Sequence, residues 1–299
     1  MTRRRAVRAA PLALLPLLAC ASAPPATAAL ERRLDALLAG AGATVAVAYH
    51  DLGTGATVLR QARLPLHAAS TMKVPVMLAL FREVDRGALG LDQPVPVRNE
   101  FRSIADGSPF ALDPAEDGDP ELYAALGQSR PLAELLRRMI VRSSNLATNL
   151  LIELARPERV MALMRELGAR DIRVLRGVED ERAYEAGLNN TTTAYDLMLV
   201  LRAIAERRAV TPAASEAMLA ILSGQEFKEK IPAGLPPGVP VANKTGDITG
   251  IHHDAAIVLP PGEPAYVLVV LTQGFADEAA ANAVIAEVSR AIWEARGGR

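Results

Sequence analysis

The sequence predicts an α/β (α+β) protein in which one sheet is built from both ends of the chain and an all-helical domain is inserted between them. Three observations carry that prediction: β-branched apolar segments early in the chain, a long block of helical periodicity in the middle, and a return of β signal after Gly238. Thr44 to His50 and Ala56 to Leu59 flank the turn Asp51-Leu52-Gly53-Thr54-Gly55 and read as a hairpin. Val74, Met77, Leu78 and Phe81 then recur at helical spacing, with Pro75 tolerable in a first turn. Leu132, Leu135, Leu136, Met139 and Ile140 mark the next helix, opened by Ser129 and Pro131. Asn145 to Ala155, Pro157 to Leu167, Thr192 to Arg207 and Pro212 to Ser223 continue the block, with Leu197, Leu201 and Ile204 as a core stripe. Strands are expected at Val239 to Asn243, Ala255 to Leu259 and Tyr266 to Thr272, and a closing helix from Glu278 to Arg296. The discontinuous α/β domain is therefore placed at 30–68 and 224–299, the helical domain at 69–223, and the site in the cleft between them. Asn99 to Gln128, rich in Asp, Pro and Gly, reads as a long irregular excursion.

Composition narrows the function. The chain has 299 residues and a formal net charge of -1, which argues against a nucleic-acid partner. One cysteine, Cys20, removes disulfide frameworks and paired-cysteine metal or redox sites, and four histidines make a multi-histidine metal hydrolase improbable. Of the 33 cationic side chains only Lys73, Lys228, Lys230 and Lys244 are lysines. Where arginine serves for ordinary positive charge, a retained lysine marks a place where an amine has to lose its proton.

The N-terminus carries Arg3, Arg4, Arg5 and Arg8, an apolar run from Ala9 to Ala19 and a small-residue stretch from Ala21 to Ala29. That is the order of a secretory signal, placed at 1–28, and the run falls short of the roughly 20 residues that span a bilayer. Leu17-Leu18-Ala19-Cys20 resembles a bacterial lipobox, so cleavage before Cys20 with its lipidation stands beside cleavage after Ala28. The chain is expected outside the cytoplasm, in the periplasm or facing it as an anchored lipoprotein, with no other membrane contact, and as a monomer.

Three short motifs carry chemistry. Ser70-Thr71-Met72-Lys73 puts a hydroxyl and an amine on one helix face, the spacing of a nucleophile and a base held neutral by burial or nearby positive charge. Ser143-Ser144-Asn145 lies at a junction of two helices, where a bend points a second hydroxyl and an amide into the cleft. Lys244-Thr245-Gly246 sits on the first returning strand. Its lysine would lower the proton affinity of the other amine and receive a carboxylate, and Gly246 allows close backbone approach. Each motif alone also reads as an ordinary cap or solvated surface; their order and placement together do not.

The set resembles the active-site serine penicillin-recognising enzymes, most closely the class A β-lactamases, from about Leu30 to the C-terminus. The resemblance implies a β-lactamase/DD-peptidase-like fold with an antiparallel sheet, an acyl-enzyme at Ser70 and no cofactor. It further implies Lys73 as proton acceptor and Ser143 as proton donor to the leaving nitrogen. Asn145 would orient the acyl group, Lys244 and Thr245 would hold a carboxylate, and the Ser70 and Asp247 N–H groups would form an oxyanion hole. Two departures stand out. The family's Glu-x-x-Leu-Asn is broken, since no glutamate precedes Leu188-Asn189 by three residues, and Glu179 is favoured over Glu181 and Glu185 as the water-activating base. Asp247 stands where a small residue is usual, and a carboxylate there opposes an anionic substrate unless it turns away or pairs with a cation. Ser144 replaces the usual aspartate of the middle motif. The alternatives on the same scaffold are a DD-peptidase, penicillin-binding protein or esterase; a non-catalytic peptidoglycan-binding module is the alternative from another class. No metal is expected: His252 and His253 point to opposite faces of a strand, and His50 and His67 read as structural.

Overall fold

The computed structural model describes residue 2 and residues 25–297, so Cys20 and the expected cleavage sites lie outside the described residues. Helix α1 (Pro25–Ala39) leads into strands β1 (Thr44–Asp51) and β2 (Thr57–Arg60). The helical block follows as α2 (Lys73–Asp85), α3 (Leu132–Val141), α4 (Asn145–Ala155), α5 (Pro157–Glu166), the short α6 (Glu181–Glu185), α7 (Ala194–Ala205) and α8 (Pro212–Ser223). Strands β3 (Val241–Ile248), β4 (Ile251–Val258) and β5 (Tyr266–Gln273) and helix α9 (Glu278–Ala295) complete the chain. The five strands form one antiparallel sheet in the order β2-β1-β5-β4-β3, so β1 from the N-terminal hairpin lies beside β5 from the C-terminal segment.

Side-chain alternation in the central strands divides two apolar cores. In β1, Val45, Val47 and Tyr49 face α1 and α9, whereas Ala46 and Ala48 face the helical block. In β5, Tyr266, Leu268 and Val270 join the first core while Val267, Val269 and Leu271 join the second. A strand buried on both faces reads as a continuous apolar run, which is why the sequence marks Tyr266 to Thr272 so clearly. The larger core also takes Met77, Leu80, Leu135, Leu136, Leu151, Leu197 and Leu201, so helices α2, α3, α4 and α7 pack as one body with a sheet face.

Two expectations need adjusting. Strands β3 and β4 are longer than the β-branched segments that announced them, because β3 runs on through Lys244-Thr245-Gly246-Asp247 and pairs with His252 and His253 on β4. Helix α1 occupies a stretch for which no element was expected. Its apolar residues Leu30 and Leu34 pack in one core with α9 and the sheet, a tertiary contact that local periodicity does not announce.

Candidate active site

The nucleophile candidate is held by three elements. Ser70 lies in a 3₁₀ turn (Ala69–Met72) that runs into α2, and Pro75 falls in the first turn of that helix. Ala68 N–H donates to Asn190 O at 2.9 Å, and Thr71 Oγ1 donates to Ala68 O at 2.6 Å. His253 on β4 fixes the approach from below. Its Nδ1 accepts from Thr272 N–H, so Nε2 carries the hydrogen and donates to His67 O at 2.9 Å. Burial holds this imidazole neutral, with a pKa lowered to about 4. Gly246 touches the turn directly: a Cβ there would stand 3.1 Å from both Ser70 N and Thr71 N. The Lys-Thr-Gly strand can therefore approach the serine this closely only with glycine at that position.

Lys73 is fully buried. Its Nζ lies 2.7 Å from Ser143 O, 3.1 Å from Ser143 Oγ and 2.8 Å from Asn145 Oδ1. Ser143 Oγ in turn lies 3.0 Å from Lys244 Nζ, so one hydroxyl bridges two amines. Burial, followed by the positive charge of Lys244, pushes the Lys73 pKa well below the ordinary lysine value; Asp117 and Glu179 oppose the shift without reversing it. Lys244 is lowered to about 7 by burial, against the attraction of Asp247 and Asp254. Lys73 Nζ donates to Ser143 O, to Asn145 Oδ1 and towards Ser143 Oγ, and Lys244 Nζ donates to that same hydroxyl oxygen. No hydrogen bond joins Ser70 Oγ to Lys73 among the described residues, so a rotation of hydroxyl or amine precedes any direct transfer.

The bend at Ser143 has φ 58°, and Ala69 and Glu179 also occupy the left-handed region, with φ 44° and 59°. Three strained non-glycine residues around one cleft are the pattern of a site held by its surroundings. What holds Ser143 and Asn145 is a cap on α4. Ser144 Oγ accepts from Ala147 N–H, and the Asp117 carboxylate accepts from Asn145 N–H at 2.9 Å and Leu146 N–H at 2.8 Å. The aspartate missing from the middle motif is thus compensated from another segment: a carboxylate still faces the positive end of α4.

Of the three glutamates considered on the sequence, Glu179 is the one that reaches the cluster. Its Oε1 accepts from Asn145 Nδ2 at 2.7 Å, and burial raises its pKa above the usual carboxylate value. Glu181 lines the same cleft but is exposed, and Glu185 is exposed at the end of α6. The loop that carries Glu179 is pinned by Asn149, one helical turn beyond Asn145 on α4. Its Oδ1 accepts from Val178 N–H at 2.7 Å and its Nδ2 donates to Val178 O at 3.0 Å. The far end is closed by Arg176, which donates to Leu188 O and Asn189 Oδ1, each at 2.9 Å.

Asp247 does pair with a cation. Lys230 Nζ donates to both of its oxygens at 2.8 Å, and His252 Nδ1 lies 3.0 Å from Oδ1. The two adjacent histidines diverge as expected for a strand, yet His252 meets Asp247 and Glu278 with ligand atoms all within 4.8 Å of one another. Carboxylate partners for His252 are therefore closer than the sequence indicated, but the ammonium of Lys230 already sits on Asp247. Sequence reasoning missed three contributors. Asp117 lay in a segment read as an irregular excursion. Asn149 could have been found from its i,i+4 spacing to Asn145. Lys230 was marked only by the scarcity of lysine.

Ser70, Asn145, Glu179 and Asp247 line one open cavity of about 260 Å³, bounded also by His67, Tyr184 and Ile248. A serine-bearing turn that opens on such a cavity beside a buried lysine pair, on a sheet of this order, is the arrangement of an active-site serine hydrolase. Residues 29–295 match the model of the beta-lactamase enzyme family, and the chain belongs to that family. A beta-lactamase of Streptomyces fradiae is 30% identical over 92% of this chain and 88% of its own, and one of Streptomyces albus G is 30% identical over 89% and 84%. The crystal structure of beta-lactamase from Sphaerobacter thermophilus superposes with a TM-score of 0.76 at 30% identity, covering 91% of this chain and 97% of that one. An ancestral class A beta-lactamase gives 0.77 at 28%, covering 89% and 99%. PBP-A gives 0.77 at 24%, covering 90% and 96%, which is a likeness of fold.

Proposed function

We propose that the chain hydrolyses β-lactams through an acyl-enzyme at Ser70. The single observation that carries this reading is the bridge from Lys73 through the Ser143 hydroxyl to Lys244, at 3.1 and 3.0 Å, beside the cavity onto which Ser70 opens. Ser70 Oγ attacks the lactam carbonyl carbon and its proton passes to neutral Lys73. The developing oxyanion is received by the Ser70 and Asp247 N–H groups. Lys73 returns the proton through Ser143 to the lactam nitrogen as the C–N bond breaks, so no free amide anion is formed. Asn145 orients the acyl group, and Lys244 with Thr245 holds the substrate carboxylate. Glu179 then removes a proton from water as it attacks the ester, and Ser70 recovers its hydrogen; burial raises the pKa of Glu179 above the usual carboxylate value, which strengthens it as a base.

The purified protein is expected to open a chromogenic cephalosporin with turnover. Ser70→Ala is expected to abolish this, and Glu179→Gln to leave an acyl-enzyme that accumulates in mass spectra. A second reading, a DD-peptidase, penicillin-binding protein or esterase, is favoured by the broken Glu-x-x-Leu-Asn pattern. Fluorescent penicillin followed over time separates them: transient label supports hydrolysis, persistent label a penicillin-binding protein, and absence of label an esterase or binder. The N-terminal charge and hydropathy pattern supports action outside the cytoplasm. Mass spectrometry of the N-terminal peptide from the membrane and soluble fractions, beginning at Cys20 with lipid or at Ala29 without it, tests that part.

A further inference from the structure

The Lys230 side chain is 3% exposed, and its ammonium donates to both oxygens of Asp247, whose side chain remains 38% exposed. Asp247 follows Lys244-Thr245-Gly246 directly on β3, opposite His252 on β4, and shares the cavity wall with Ser70. Lys230 is close enough to Lys244 to disfavour its proton, and Asp247 to favour it, so the three groups form one electrostatic unit. The neighbouring wall carries Glu179, Glu181 and Arg176; Arg176 donates to Leu188 O, Gly177 O and Asn189 Oδ1, and Arg182 nearby is tied to Asp106 at 2.6 Å. A carboxylate belonging to the protein therefore neutralises a cation that lies within electrostatic reach of Lys244.

We propose that Asp247 is a built-in counter-anion that fixes the charge specificity of the cleft by holding Lys230. With Asp247 in place the charge of Lys230 is neutralised within the pair, so an anionic substrate is drawn by Lys244 alone. Substrates neutral or positive at that end are then disfavoured less than in a site with both lysines free. The proposal rests on the acyl-enzyme reading for its substrate, but it concerns the side chain of Asp247, whereas the oxyanion contact uses only its backbone N–H. An ammonium released from its counter-ion attracts a carboxylate at close range strongly enough to decide such a preference.

The test measures binding without chemistry. In the Ser70→Ala protein, calorimetry gives the affinities of benzylpenicillin and of its methyl ester, which differ by one negative charge. Asp247→Ala is expected to raise affinity for the acid about tenfold, about 1.4 kcal/mol, with the ester changed less than about twofold. Adding Lys230→Ala should abolish the gain. Asp247→Asn keeps the shape and should give the same direction, which covers the event that the alanine variant does not fold. An acid-to-ester ratio unchanged in both Asp247 variants, a gain that survives Lys230→Ala, or no binding of either compound throughout the series overturns the proposal. Labelling of the unsubstituted protein by fluorescent penicillin reports separately on the acyl-enzyme reading, so the two can fail independently.

Discussion

Lys244 has its pKa lowered to about 7, so in the free protein it is charged below that pH and loses its proton above it. If it receives the substrate carboxylate, kcat/KM for an acid substrate should fall as pH rises through about 7, since that parameter reports groups of the free enzyme. Lys244→Arg keeps its charge to far higher pH and should carry the alkaline limb upward by more than about two units. A limb unmoved in a pH profile of the variant would assign it elsewhere. Stability has a related signature. The folded amine holds its proton less tightly than the unfolded one, whose ordinary value is 10.5. The unfolded chain thus binds more protons between about 7 and about 10.5, and this group should make the apo-protein more stable as pH rises through that window. The broken Glu-x-x-Leu-Asn pattern left three acids as alternatives. What separates them in space is the Asn145 amide, which only Glu179 meets.

At the scale of elements, helix α4 organises the cleft. Its N-terminus presents Ser143 and Asn145, its next turn pins the Glu179 loop through Asn149, and Asp117 caps it from a segment 28 residues earlier. Asp117→Asn removes the charge facing the helix end and should cost about 0.5–2 kcal/mol in urea unfolding, the range for a helix cap. Because the cap holds the strained bend, acylation should slow by more than the stability loss alone explains. Ser144→Asp in that background, which returns a carboxylate to the helix end, should recover part of both. An Asp117→Asn protein that is destabilised but acylates at the original rate would reduce the carboxylate to a structural cap. The boundaries of α4 were legible because Ser144 is a good N-cap and Arg156-Pro157 stops the helix. Asp117 was not, because its role depends on a contact made across the fold.

Taken whole, the molecule is two apolar cores sharing one sheet. Leu268 faces α1 and α9 and Leu271 faces the helical block, both fully buried. Replacing either by alanine should cost about 2–5 kcal/mol. The larger core mixes strand residues with helix residues, so both variants should shift the same cooperative transition when far-UV CD and tryptophan fluorescence are compared. Two separate transitions would instead mark the inserted segment at 69–223 as an independent folding unit. We propose that it is a spatial subdivision and not such a unit, on the strength of the shared core.

The sequence alone determined the order of the sheet strands and of the helices other than α1 and α6, because burial on one or two faces imposes periods that survive without knowledge of partners. It also determined the three motifs, whose spacings of a few residues are converted by helix and strand geometry into fixed directions. The tertiary structure alone decided which glutamate reaches Asn145, that Asp117 caps α4, that Lys230 answers Asp247, and that Ser143 joins two lysines 171 positions apart. Those contacts join residues far apart along the chain, and a pairing of charges or hydrogen bonds at that separation leaves no period or spacing to read. It exists only once the shared sheet has brought both ends of the chain around the helical block.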